Sequence, residues 1–161
     1  MLALLEHENE QRLARQAEMY DQDVPLSVQW DQACDHLEDD LASGYVRVLQ
    51  EMIAAGWSDD DVANAVREYV LGWHRLLTNV AKEFGRTHDA LGPFSGREAA
   101  TLVSTAFLGA EAAILLGLDE EQFPSRAALR RVGDLIRVAE GRAEAATVNS
   151  SHPDPDLNGG S

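Results

Sequence analysis

The sequence predicts an all-α fold of about five helices, and three observations carry that expectation. Apolar residues recur at three- and four-residue spacing along most of the chain, and no run of β-branched residues alternates with period two. Helix-start signals stand ahead of the apolar stretches: Ser58 before Asp59, Asp60 and Asp61, and Ser95 three residues before Glu98. Breakers fall between the periodic segments, at Pro25, Gly56, Gly85 to Pro93, and Gly117 to Pro124.

A first helix is expected over 2–20. Its apolar residues crowd the opening turns and thin out after Leu5, as if the helix continued from something upstream. Asp23-Val24-Pro25 then breaks the chain. One continuous helix is expected over 28–55, because Trp30, Ala33, Cys34, Leu37, Leu41, Tyr45, Val48, Leu49, Met52 and Ile53 form a single stripe. Glu38, Asp39, Asp40 and Glu51 fall on its solvated side. Gly44 costs that helix about 1 kcal/mol against Ala and marks a kink or a close approach. Gly56 suits a left-handed C-terminal closure. Ser58 is expected to cap a third helix, whose first-turn aspartates complement the helix dipole. Its apolar face runs from Val62 through Tyr69 and Trp73 to Phe84, and 85–93 is expected as loop.

The last two helices are expected over 96–116 and 124–142. Ser95 and Glu98 have the spacing of a capping box, in which each side chain accepts from the other's backbone N–H. Pro124 suits a first helical turn, where a missing N–H matters least. The fourth helix carries apolar residues on almost every face, from Leu102 and Val103 to Leu115 and Leu116. A helix apolar all round must be buried on more than one side, and a small domain has little room for that. A second copy of the chain is therefore expected to cover it. The expected dimer interface comprises Ala106, Gly109, Ala110, Ala113 and Gly117, joined by Leu129, Val132, Gly133 and Ile136 of the last helix. In a twofold dimer each small residue counts twice. Residues 1–145 read as one helical domain and 146–161 as a disordered, breaker-rich tail.

The 161 residues suffice for one domain that buries roughly two-thirds of its unfolded surface. Thirteen Lys and Arg face 28 Asp and Glu, a net charge of −15. No basic face is available to neutralise phosphates, so no nucleic-acid partner is expected through this chain alone. Its densest basic spot, Arg126, Arg130, Arg131 and Arg137, is expected to complement acidic neighbours. The one cysteine, Cys34, allows no internal disulfide and sits at a core phase, consistent with a reducing cytoplasm. The short apolar start lacks a basic leader, so neither signal peptide nor membrane span is expected. No Gly-x-Ser-x-Gly elbow, Cys–His arrangement, glycine-rich phosphate loop or Glu-x-x-His motif occurs, and the adjacent pairs Asp35-His36 and His88-Asp89 diverge on a helix. No catalytic residue, metal or cofactor is expected.

The run Leu37 to Arg47, continuing through Glu51-Met52 and Gly56-Trp57-Ser58-Asp59, resembles the regulatory core of tetracycline-repressor-like (TetR/AcrR) transcriptional regulators. So does Arg97 to Ala100, continuing through Leu108-Gly109-Ala110-Glu111 and Leu115 to Glu121, then Pro124 and Leu129. The resemblance implies an all-helical C-terminal domain whose last two helices pair with a second subunit in a four-helix bundle, while the other helices enclose a ligand pocket. The family's helix-turn-helix has no counterpart here, because the sequence opens on what resembles the connector helix. DNA binding is therefore carried over to no residue.

Trp30, Tyr45, Tyr69, Trp73 and Phe107 are large rings on apolar phases of the second, third and fourth helices. Two readings stand for each: plain core packing, or the wall of a pocket for a small hydrophobic or aromatic ligand. Tyr45, Tyr69 and Trp73 favour the second, since each has a polar end that needs a partner when buried. The function expected is ligand sensing and homodimerisation in a TetR-like regulator. The alternative is a stand-alone helical homodimer that carries a small hydrophobic molecule.

Overall fold

A computed structural model describes residues 11, 14, 20, 21 and 23–150, with 144 and 146–150 as backbone alone. Apart from its isolated positions, the helix expected over 2–20 lies outside the described residues, as does the tail from 151. The described chain is all-α, with five helices and no strand: α1 (Leu26–Ser43), α2 (Tyr45–Ala55), α3 (Asp60–His88), α4 (Gly96–Leu115) and α5 (Ser125–Ser150).

The stripe expected to form one helix over 28–55 is two helices. Gly44 takes φ 82°, a left-handed conformation that closes α1 and opens α2. Gly56 does the reverse of what was expected. It stays right-handed at φ −62°, and its value lies in size, since a Cβ there would stand 3.1 Å from Cα of Ala63. The cap of α3 is Asp59 rather than Ser58. The Asp59 carboxylate accepts from the N–H groups of Asp61 and Val62, with Asp60 and Asp61 adding charge at the same positive end. α3 runs on to His88, past the expected start of the loop, and ends at Asp89 with φ 50°.

α4 begins with the expected capping box: Ser95 Oγ accepts from Glu98 N–H and Glu98 accepts from Ser95 N–H at 2.8 Å. It ends in a Schellman motif, Leu118 N–H donating to Ala113 C=O and Gly117 N–H to Ile114 C=O, with Gly117 at φ 77°. α5 starts one residue after Pro124 and extends to Ser150, eight residues beyond Arg142 and into the segment expected as tail. Glu120 caps it, accepting from Ser125 Oγ and the N–H of Arg126, and those bonds hold its carboxyl below the usual range.

Two antiparallel pairs organise the molecule. α3 lies along α4, close enough at one end that a Cβ on Gly96 would stand 2.9 Å from the Lys82 backbone nitrogen. α1 lies along α5, and three ion pairs cross between them: Asp31–Arg137 at 3.0 Å, Asp35–Arg130 at 2.6 Å and Glu38–Arg126 at 2.7 Å. Half-exposed pairs of this kind set register more than they stabilise, each contributing about 0–1 kcal/mol. Glu140 of α5 reaches the first turn of α1, accepting from Ser27 N–H at 3.1 Å and Ser27 Oγ at 2.6 Å. That carboxylate supplies the cap that Pro25 lacks. The core between the pairs is built from Trp30, Cys34, Leu37, Val46, Phe107, Ala110 and Leu129, and burial pushes the Cys34 thiol up.

Candidate ligand cavity

α4 supplies the middle of the molecule. Ala100, Phe107 and Ala110 recur on its inward face, and Phe107 is held edge-on between two indoles, Trp30 at 5.6 Å and Trp73 at 5.9 Å between ring centroids. Trp30 is anchored from α5, since its indole N–H donates to the carbonyl of Leu129 at 2.7 Å. These contacts tie α1, α3, α4 and α5 together. Beside them, lined by residues of all five helices, lies a cavity of about 580 Å³, within the usual range for a small-molecule site.

All five rings expected to meet a ligand line this cavity: Trp30, Tyr45, Tyr69, Trp73 and Phe107. They do so in different ways. Trp30 and Phe107 are buried and form part of the packed frame. Tyr69 is buried as well, on the α3 wall, whereas Tyr45 and Trp73 are half-buried and leave ring surface facing inward. Aliphatic residues of α3, among them Leu76, Leu77 and Val80, complete the apolar wall.

Two carboxylates on the wall were not legible as site residues. Asp40, expected on the solvated side, lines the cavity. It lies on the phase of Leu37 and Ala33, three and seven residues back, which is the signal that could have found it. Glu111 lies four residues after Phe107 on the inward face of α4 and is buried. Its Oε2 accepts from the Gln50 side-chain amide at 2.9 Å, and the same amide donates to the Leu108 carbonyl at 3.3 Å. Burial pushes the Glu111 carboxyl up to about 7, with the nearby charge of Asp40 acting in the same direction and the Gln50 hydrogen bond opposing. Ser104, two turns earlier, is buried with a hydroxyl oxygen that has no partner among the described residues.

The small residues expected at a dimer interface divide into two sets. Ala110, Ala113 and Leu129 are buried within the protomer, and Val132 and Ile136 pack against its core. Gly133 faces inward too, and a Cβ there would stand 3.0 Å from the Trp30 ring. It serves the approach of α5 to α1 rather than to a partner. Gly117 is exposed, and its positive φ accounts for the glycine through the end of α4. Ala106 and Gly109 alone of the nine are outward-facing helix residues, and nothing stands within 4 Å of a Cβ built on Gly109. The basic cluster pairs as expected: Arg126, Arg130 and Arg137 with α1, and Arg131 with Asp134 at 3.3 Å.

Among the described residues no three His, Cys, Asp or Glu side chains are grouped to hold a metal ion. No protein-family model, curated protein or solved structure matches this chain.

Proposed function

We propose that this chain is a ligand-sensing and homodimerising module of the kind found in the regulatory half of TetR-like transcriptional regulators. The observation that carries the reading is the ring-lined cavity. Seven aromatic side chains, the five expected rings together with Tyr20 and Phe84, line a half-open cavity of about 580 Å³, the size of a small-molecule site. Replacing Trp73 with Ala removes a wall without touching the Trp30 anchor. N-phenyl-1-naphthylamine, a neutral aromatic dye that brightens on burial, is expected to bind the parent and to bind Trp73→Ala about tenfold more weakly, the upper end of one aromatic pair's contribution. Equal affinity for both would move the site elsewhere.

Pairing is supported by what α4 and α5 present outward. Leu102 of α4, Leu116 just past its end and Val138 of α5 are each more than half exposed. Among the described helices α4 alone is long and apolar enough to cross a membrane, yet only 33% of its most apolar window is buried in the protomer. A twofold contact through Ala106 and Gly109 would bring two α4 helices close and cover that face. Because Gly109 has open space around it, Gly109→Leu is expected to leave the protomer folded and to turn dimer into monomer by light scattering. A clean dimer from this variant would reject the contact.

The two parts connect through α4, which carries Phe107 into the cavity and Gly109 out of it. A ligand that fits one setting of α4 better than another shifts the dimer between geometries by its differential affinity and no more. In a full regulator such a shift would reset the spacing of two reading heads, which bind half-sites roughly 34 Å apart.

A further inference from the structure

We propose that the cavity takes a single-chain alkyl amphipath, a long unbranched hydrocarbon tail with a small hydrogen-bonding head. The inference rests on the ligand-site reading above and adds the shape of the ligand to it.

The shape follows from how far the wall runs along each helix. On α3, cavity-lining residues recur every turn from Tyr69 through Trp73, Leu77 and Val80 to Phe84. At the rise of an α-helix that stretch is about 22 Å long. On α1 they recur from Leu26 through Trp30, Ala33 and Leu37 to Asp40, about 21 Å. A sphere of about 580 Å³ would be about 10 Å across, under half the length that the helix rise gives. The cavity is therefore an elongated bore, and its volume spread over about 22 Å leaves an average width of about 6 Å. One extended hydrocarbon chain fits such a bore. A compact ring of the same carbon number is wider than it.

The two ends differ in chemistry. Asp40, Tyr45 and Glu111 line the end beside α2, where their oxygens can bond a polar head. Val80, Ala81 and Phe84 of α3 line the other end, with Ala90 and Leu91 of the loop that follows. Leu91 is seated against Gly85, where a Cβ would stand 2.6 Å from its Cδ1, so the loop packs as part of the wall. Apolar surface at that end suits a tail, since each methylene taken out of water adds to affinity.

Displacement of N-phenyl-1-naphthylamine from the full chain by 1-alkanols tests the shape. Affinity is expected to rise about fourfold per methylene from 1-octanol to 1-tetradecanol. Cyclododecanol carries the carbon number and hydroxyl of 1-dodecanol in compact form. It is expected to bind at least about tenfold more weakly than 1-dodecanol, the effect of leaving about two methylenes in water. Ala81→Phe plugs one end of the bore. It is expected to cost 1-tetradecanol about tenfold and to leave 1-octanol, which needs only part of the length, within about twofold. Ala90→Phe blocks the same end from the loop and stands in if Ala81→Phe does not fold. Cyclododecanol binding as tightly as 1-dodecanol, or a plug that costs 1-octanol as much as 1-tetradecanol, would overturn the inference. Dye binding that still depends on Trp73 would then leave the cavity as a ligand site. Failure of the dye and of every alcohol to bind would overturn both.

Discussion

Trp30→Ala is expected to cost about 3–5 kcal/mol of unfolding free energy, the range for truncating a buried tryptophan. The indole does three things at once. It packs edge-on against Phe107, it donates to the Leu129 carbonyl, and it fills the space that Gly133 leaves between α1 and α5. Against a total stability of about 5–15 kcal/mol, that loss removes about a fifth or more. Urea unfolding followed by circular dichroism measures it. Trp30→Phe separates the contributions, since it keeps a ring but deletes the hydrogen bond, and is expected to fall well short of the Ala loss. A cost below about 1 kcal/mol for Trp30→Ala would mean the α1–α5 pair does not depend on this anchor.

Glu111→Gln is expected to stabilise the protein at pH 8 and to change little at pH 4. The carboxyl is pushed up to about 7 in the folded chain from an ordinary value of 4.5. Between those values the native state holds a proton that the unfolded chain has released, so stability falls as pH rises through the window. Below it both states are protonated, and above it both are ionised with the full cost in place. The sign is opposite to that of a salt-bridged acid, because the cause is burial rather than a cationic partner. The amide variant removes this slope, and its advantage at pH 8 is at most about 3 kcal/mol. Parallel urea titrations at the two pH values test it; equal gains at both would point to packing, and none at either would mean the carboxylate is solvated.

Much of the local structure was legible in the residues. The Ser95–Glu98 box, the aspartates ahead of α3 and the stripes of α1 and α3 are written in near-neighbour chemistry, which a helix satisfies wherever it later packs. The five rings could be picked out because bulk at an apolar phase marks the inside of a helix, and all five line the same cavity. Gly44 was noted as an anomaly, but a kink and a full break look alike until the backbone takes a positive φ. Asp40 and Glu111 were missed for a simple reason: a carboxylate on an inward phase looks like an exception to a stripe until a cavity accepts it.

The small residues mark where sequence stopped. Ala110, Gly133 and Gly109 are alike as residues, yet the first two face the core and the third faces out. An amphipathic helix declares its buried face by contrast with its polar one. α4 has no such contrast, so only the positions of α3 and α5 decide which of its sides is inside. The sequence alone determined that this chain is helical, strongly acidic and rich in rings at inward phases, because those properties depend on residues a turn apart. Tertiary structure alone decided that the rings surround a space, that two carboxyl groups share it, and that the other described residues leave one side of α4 uncovered. Each of these depends on helices far apart in sequence meeting at a particular rotation about their axes, which local periodicity does not specify.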